Sequence, residues 1–242
     1  MHIYYLHGFA SSPRSKKAVY FAEQLRAHGL TLRCPDFNEP DFSSLTMTRM
    51  LDQLAADIAT LDAPSLARQP GPSSGEVQRK GGSAESRAEV DPEPIVLIGS
   101  SLGAVVAIHA AARMPDRIHR LVLLAPAVMF PRDAPRVLGA ERVARWQATG
   151  TLDVFHHADG GMRPLSYRFY EDGVRYDAFG ADVAQRTLIV QGLRDESVDY
   201  RVVEQFAAAR PRMQLTLLDD EHQLMASLPR IWNDTEAFLE LT

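Results

Sequence analysis

The feature that most constrains the fold is a glycine-bounded turn between an apolar run and a helix-forming segment. Residues 99–103 read GSSLG; they follow the apolar run 95–98 and precede the alanine- and valine-rich segment 104–111. A short continuous apolar run is typical of a buried parallel strand. The chain must therefore turn from strand to helix within the pentapeptide. Gly99 and Gly103 remove the Cβ atoms that would collide in so tight a turn.

Ser101 lies at the centre of this turn, in the G-x-S-x-G pattern of a nucleophile elbow. Such a turn raises the serine hydroxyl above the edge of the sheet and directs the amides of the new helix at the same point. Ser100 is the alternative nucleophile, but it precedes the apex by one residue, and its side chain is expected to point away. We therefore predict that Ser101 is a nucleophile for acyl transfer.

Two later loops supply the groups that activate a serine. A hydroxyl needs a base, usually histidine, and a carboxylate fixes the orientation of that histidine. In open α/β sheets these groups follow the carboxyl ends of strands, in the order serine, acid, histidine. Asp195 follows the predicted strand 187–191, and His222 follows the predicted strand 214–218. The prediction is a catalytic triad of Ser101, Asp195 and His222.

Both assignments have alternatives in the same loops. Glu196 and Asp199 are rival acids, although the spacing from the strand end favours Asp195. His222 stands beside three acidic residues at 219–221 and could be a surface histidine. As a base, it would be pushed towards its protonated form by those acids, which would raise the pH optimum.

A tetrahedral intermediate also needs hydrogen-bond donors for its oxyanion. The amide of Leu102, directly after the proposed nucleophile, is one predicted donor. The second is expected from the loop after the first strand, where the amide of Phe9 is the first choice and that of Ala10 the alternative. We expect His7 to shape this loop rather than to act as a base.

Composition indicates which binding partners and which cellular compartment to expect. The net charge of −5 gives no electrostatic reason to expect nucleic acid or an anionic membrane, so the expected partner is a small-molecule ester or thioester. Cys34 is the only cysteine, which fits a reducing compartment, and we expect a cytoplasmic protein without a membrane span. The sequence contains no glycine-rich loop of the kind that binds phosphate or a dinucleotide, and no pattern of zinc ligands. We therefore expect no cofactor and no metal.

The order of elements predicts one α/β domain over residues 1–242. Strands that alternate with helices favour a parallel, doubly wound sheet. The predicted strands are 2–6, 30–34, 95–99, 121–125, 187–191 and 214–218. The predicted helices begin near Ser12, Ser44, Ala104, Val202 and Pro229. Residues 67–92 are rich in polar residues, proline and glycine, and we predict a disordered loop insertion there.

The stretch 127–186 precedes the predicted acid-bearing strand, and we expect it to form a small cap. Its aromatic residues would either cover an acyl chain or form the cap's own core, and for any single residue the second interpretation is favoured. The candidate substrate-binding residues are Met129, Phe130, Trp146 and Tyr167. Seven of the arginines in the same stretch would either hold an anionic head group, such as that of coenzyme A, or form a solvated surface; they are Arg132, Arg136, Arg142, Arg145, Arg163, Arg168 and Arg175.

These motifs resemble those of the α/β-hydrolase fold family. The segment 6–17, LHGFASSPRSKK, is similar to the opening of the short, YqiA-like bacterial esterases. The elbow, and PLSY at 164–167, are similar to the ABHD10-type acyl-protein thioesterases. The resemblance implies an α/β-hydrolase fold with a minimal, mostly parallel, doubly wound sheet and a cap before the acid-bearing strand.

The leading functional hypothesis is a serine hydrolase that cleaves carboxylic esters of short to medium acyl chains through an acyl-enzyme. An acyl thioesterase, acting on acyl-CoA or acyl-protein, would use the same residues. A third hypothesis from another class is a non-catalytic binding protein on a hydrolase scaffold. That hypothesis expects a lost catalytic group, whereas candidates for all three are present in order.

Overall fold

The centre of the structure is a sheet of parallel strands. The computed structural model describes residues 1–61 and 93–241, and within them six strands pair in parallel in the order β2-β1-β3-β4-β7-β8. A separate antiparallel hairpin pairs β5 with β6. The strands are β1 (His2–Leu6), β2 (Leu32–Arg33), β3 (Ile95–Ser100), β4 (Ile118–Leu124), β5 (Thr151–His156), β6 (Gly161–Ser166), β7 (Arg186–Gly192) and β8 (Met213–Leu218).

Helices cover both faces of this sheet, as the doubly wound prediction requires. The helices are α1 (Lys16–Ala27), α2 (Met47–Ala59), α3 (Leu102–Arg113), α4 (Ala134–Leu138), α5 (Ala140–Thr149), α6 (Arg168–Gly173), α7 (Tyr200–Ala208) and α8 (Leu228–Leu239). Alternate residues of the central strands face opposite sides: Leu97 belongs to a buried cluster that includes residues of α2, α3 and α7, while Ile98 belongs to one that includes residues of α1 and α8. The apolar runs of the sequence are therefore buried on both faces.

Several element boundaries differ from the predictions because other residues provide the caps. Helix α1 begins at Lys16, since Ser15 rather than Ser12 is the N-cap and its hydroxyl accepts from the amide of Ala18 at 3.3 Å. Helix α2 begins at Met47 after the N-cap Thr46 and not at residue 44. Strand β2 is shorter than predicted, because residues 28–30 still close the end of α1 through backbone hydrogen bonds.

The order of the strands reverses between β1 and β3. The chain moves from β1 to β2 in one direction and from β3 to β4, β7 and β8 in the other. Ligands of open α/β sheets bind at the carboxyl ends of the strands where this reversal occurs. The loops after Leu6 and Ser100 both lie at this point.

The segment between β4 and β7 holds α4, α5, the hairpin and α6. Asp172 of this segment accepts hydrogen bonds from the amide and the hydroxyl of Thr48 in α2, at 2.7 and 2.6 Å. The segment is thus attached to the main body at α6. Its role as a cap remains a prediction, and the predicted insertion at 67–92 lies outside the described residues.

Helix α3 approaches strand β1 so closely that only glycine fits at the contact. A Cβ atom on Gly103 would lie 2.0 Å from the carbonyl oxygen of Leu6 and 2.7 Å from that of His7. Both contacts are with backbone, which cannot move aside as a flexible side chain can. The start of α3 and the end of β1 are therefore held together by the absence of a side chain at position 103.

We expect Gly103→Ala to lower the free energy of unfolding by about 3 kcal/mol, because the new methyl group overpacks this contact. The matched control is Gly161→Ala, since a Cβ there meets no atom within 4 Å. The control should change stability by no more than about 1 kcal/mol. Urea denaturation of both variants measures the difference, and equal stabilities would contradict the close contact.

Candidate active site

Ser101 occupies a strained turn between β3 and α3. Its φ and ψ are 53° and −115°, which a residue with a side chain rarely adopts, and its amide donates to the carbonyl of Leu124 at 2.8 Å. A Cβ on Gly99 would lie 2.5 Å from the Cα of Ala104, so the turn also needs glycine at its first position. The hydroxyl of Ser101 does not cap α3 and is free for another partner.

That partner is His222. The Nδ1 atom of His222 lies 2.8 Å from Oδ2 of Asp195, and its Nε2 atom lies 3.1 Å from Oγ of Ser101. Because a carboxylate only accepts, Nδ1 donates to Asp195, and Nε2 is left to accept the proton of Ser101. The structure therefore brings the three predicted residues together in one hydrogen-bonded chain.

Asp195 is held as a buried carboxylate. Its side chain is fully buried; Oδ1 accepts from the amides of Ser197 and Val198 at 2.9 and 2.8 Å, and Oδ2 accepts from Gln191 at 2.9 Å. Burial disfavours the charge, but hydrogen bonds from His222, Val198 and Gln191 and the nearby imidazole outweigh it and lower the pKa of Asp195. The acid is thus ionised when it orients the histidine.

The rival acids have other positions. Glu196 is exposed to solvent, and the carboxylate of Asp199 caps helix α7 by accepting from the amide of Arg201 at 3.0 Å. The geometry therefore selects Asp195 from the three candidates of that loop.

The sequence analysis missed Gln191, which supports the acid. It is fully buried at the end of β7, and its amide group donates to Oδ2 of Asp195 and to the carbonyls of Gly192 and Val198. The available signal was a polar residue at the end of an otherwise apolar strand. Gly192 lets the next loop approach, since a Cβ there would lie 2.5 Å from the carbonyl oxygen of Asp220.

The loop after β1 is shaped by His7. The amide of Phe37 donates to Nε2 at 3.0 Å, so that nitrogen carries no proton, and Nδ1 donates to the carbonyl of Gly8 at 2.9 Å. Residues 8–11 then form a turn closed by Ser11 N–H to Gly8 O at 3.2 Å, with Ala10 at a positive φ of 52°. The expectation that His7 shapes the loop agrees with these bonds.

This turn lies beside Ser101. A Cβ on Gly8 would lie 3.4 Å from the Cβ of Ser101. Within residues 1–61 and 93–241, the amides of Phe9, Ala10 and Leu102 donate no hydrogen bond to protein. These free amides keep both Phe9 and Ala10 as candidate partners of Leu102 in an oxyanion hole.

Comparison with known proteins places these features in a family. The sequence matches the model of the alpha/beta hydrolase family over residues 3–236. The chain belongs to this family. No curated protein matches the sequence significantly.

Solved structures share the fold of this hydrolase at low sequence identity. Est1E from Butyrivibrio proteoclasticus with bound ferulic acid has a TM-score of 0.75 and 21% identity, covering 99% of this chain and 88% of that one. Mouse alpha/beta hydrolase domain-containing protein 10 has a TM-score of 0.71 and 18% identity, covering 100% and 90%. The monoacylglycerol lipase of Paleococcus ferrophilus has a TM-score of 0.72 and 13% identity, covering 99% and 94%.

The predicted substrate-binding residues of the hydrolase occupy different environments. Phe130 contacts Phe169, with ring centroids 5.0 Å apart, and Phe169 contacts Phe9 at 5.4 Å, so an aromatic row connects the segment to the loop beside Ser101. Met129 is half-buried next to Phe130.

Trp146 and Tyr167 pack within the segment itself. The indole N–H of Trp146 donates to the carbonyl of Leu165 at 3.0 Å, and its ring meets the edges of Tyr167 and Tyr170. Tyr167 stacks on Tyr170 with ring centroids 5.4 Å apart. Because Trp146 is buried in these contacts, it belongs to the core of the segment. This agrees with the interpretation that the aromatic residues of 127–186 form that core.

Most arginines of the segment are already paired. Ion pairs join Arg132 to Asp177, Arg136 to Asp133, Arg163 to Asp159, and Arg175 to Asp172. These contacts favour a solvated surface over a free cationic cluster. In the described part of the hydrolase, no helix combines the length and the apolar character that crossing a membrane requires.

We expect Ser101→Ala to abolish covalent labelling by a fluorophosphonate probe and to reduce ester turnover by a factor on the order of 10⁴ or more. Ser100→Ala is the matched control, because Ser100 is the buried last residue of β3 and should leave most of the activity. Labelling of the folded wild type is measured against a heat-denatured sample. Loss of labelling in Ser100→Ala, with Ser101→Ala still labelled, would reverse the assignment.

Proposed function

We propose that this hydrolase cleaves carboxylic esters of short to medium acyl chains through an acyl-enzyme formed on Ser101. The observation that carries the proposal is the hydrogen-bonded chain from Ser101 through His222 to Asp195, next to backbone amides without another partner. Nucleophile, base, orienting acid and oxyanion donors thus converge on one point, which is the arrangement that acyl transfer requires.

The geometry supports a two-step reaction. Nε2 of His222 takes the hydroxyl proton as Oγ of Ser101 bonds to the substrate carbonyl carbon, and the carbonyl oxygen becomes an oxyanion beside the amides of Leu102 and Phe9. The C–O bond to the alcohol then breaks, and His222 returns the proton to the leaving alkoxide. Water, deprotonated by His222, attacks the acyl-serine ester and releases the carboxylic acid and the free serine.

The acyl group is proposed to contact the aromatic row of Phe9, Phe169 and Phe130. This row begins at the turn that carries the proposed oxyanion donor and continues into the segment between β4 and β7. We propose that this segment acts as the cap of a single α/β-hydrolase domain. The hydrogen bonds between Asp172 and Thr48, which hold the segment to α2, support this role.

Two finer assignments are part of the proposal. The segment 6–17 supports kinship with the YqiA-like esterases, while the elbow and residues 164–167 support kinship with the ABHD10-type thioesterases. A cytoplasmic location is supported by the single cysteine, Cys34, which is a free thiol.

We expect turnover of p-nitrophenyl esters that exceeds turnover of acyl thioesters with the same acyl chains. The panel uses matched pairs from acetyl to decanoyl, with Ser101→Ala as the blank in every reaction. The ratio of kcat/KM within each pair decides between esterase and thioesterase, since both reactions use the same triad. Higher values for all thioesters would replace the ester proposal with the thioesterase alternative.

A folded wild-type protein that shows neither turnover nor fluorophosphonate labelling would contradict both the esterase and the thioesterase hypotheses. That result would favour the non-catalytic scaffold, in spite of the intact triad geometry. Circular dichroism and a cooperative thermal transition establish that the sample is folded.

A further inference from the structure

The turn over residues 8–11, which carries the amides of Phe9 and Ala10, has a strained backbone. Ala10 has a positive φ of 52°, which a residue with a side chain rarely adopts. Within the turn, the amide of Ser11 donates to the carbonyl of Gly8 at 3.2 Å. A strained conformation persists only where surrounding contacts fix it. The contacts that other parts of the chain make with this turn therefore decide where its amides lie.

Two adjacent residues of the loop after β2 hold the two ends of this segment. The side-chain amide of Asn38 donates from Nδ2 to the carbonyl oxygen of Ser11 at 2.7 Å. The backbone amide of Phe37 donates to Nε2 of His7 at 3.0 Å. The chain from His7 to Ser11 is thus attached to one loop at its start and at its end.

Asn38 is itself held by a buried histidine of the β5–β6 hairpin. Nε2 of His156, at the end of β5, lies 3.1 Å from Oδ1 of Asn38, and only 3% of the histidine is exposed. The two hydrogens on Nδ2 of Asn38 are used by Ser11 and by Oδ1 of Asp36, at 2.7 and 2.8 Å. Oδ1 of Asn38 can therefore only accept, and Nε2 of His156 donates to it. One hydrogen-bonded chain thus leads from the hairpin through Asn38 to the carbonyl of Ser11.

Two further contacts join the hairpin to the same turn. The backbone amide of His157 donates to the carbonyl oxygen of Ala10 at 2.9 Å. The ring of Phe42 meets the imidazole of His156 edge-on, with centroids 4.6 Å apart, and lies 5.7 Å from the ring of Phe9. The consecutive carbonyls of Ala10 and Ser11 therefore both accept from outside the turn, which limits rotation of the backbone that carries the candidate oxyanion donors.

We propose that Asn38 and His156 are positioning residues of the oxyanion hole, which fix the turn over residues 8–11 from the β5–β6 hairpin. The inference rests on the proposed function, because oxyanion donors matter only if Ser101 acts as a nucleophile. Such donors accelerate the reaction by being in place before charge develops on the carbonyl oxygen. A turn that loses its outside attachments weakens the transition state more than it weakens substrate binding.

The first variant is Asn38→Leu, which keeps the approximate size of the side chain and removes its hydrogen bonds. The rate constant for labelling by a fluorophosphonate probe and kcat for a p-nitrophenyl ester should both fall by roughly ten- to hundredfold, the range expected for a displaced catalytic donor. KM should change by about twofold at most, because the neutral carbonyl of the bound substrate needs these donors little.

The second variant pair tests the histidine. His156→Leu should show the same loss as Asn38→Leu. His156→Gln should recover most of the wild-type rate, because its side-chain amide can donate to Oδ1 of Asn38 in place of the imidazole. A His156→Gln variant that is as slow as His156→Leu would contradict the role of this hydrogen bond.

Gln53→Leu is the matched control for Asn38→Leu. The side-chain amide of Gln53, on α2, donates to the carbonyl of Asp36 at 2.8 Å, so this variant removes a bond of the same kind from the same loop. Its labelling rate and kcat should stay at the wild-type values. An equal loss in Gln53→Leu would overturn the proposal, because it would show a general effect of loosening this loop.

An unchanged labelling rate in folded Asn38→Leu would also overturn the proposal. If that variant does not fold, Asn38→Ala carries the same comparison with the same expected loss. Labelling needs no ester turnover, so the two proposals fail separately. A wild-type protein that is labelled but cleaves no ester refutes the proposed function, while the ratio of labelling rates still decides the role of Asn38. Ester cleavage at the wild-type rate by every variant refutes the positioning role alone.

Discussion

The close approach of helix α3 to the end of strand β1 is the constraint on which the rest of the site depends. Gly103 lets the helix backbone meet the carbonyl of Leu6, so the turn that carries Ser101 lies beside the turn that carries Phe9, although the two are far apart in the chain. Parallel strands bring their carboxyl ends to the same edge of the sheet. The loops after β7 and β8 therefore arrive at this edge as well, and His222 reaches Ser101 from there.

Two carboxylates at this edge, those of Asp195 and Asp220, are buried from solvent. Backbone amides stabilise the carboxylates of Asp195 and Asp220 from within their own loops, and Gln191 adds a donor from β7. Such local donors lower the pKa of both acids and keep them ionised.

The prediction of elements succeeded where the signal was local and strong. The buried strands at 2–6 and 95–99 were predicted almost to the residue, because continuous apolar runs bounded by polar turns have few alternative structures. Helix starts were less accurate, since several serines and threonines near each helix can serve as a cap. In the structure, the hydroxyls of Ser15 and Thr46 accept the capping hydrogen bonds.

The sequence by itself determined the fold class and the position of Ser101 in a turn between a strand and a helix, because a strand, a glycine-bounded turn and a helix in direct succession form a local pattern. It also supplied the order of serine, acid and histidine. Only the tertiary structure decided which acid of the 195–199 loop meets His222 and how Gln191 supports that acid. These features depend on contacts between segments that are distant in the chain. The distances between their side chains, and how far each side chain is buried, follow from tertiary packing and not from the local sequence.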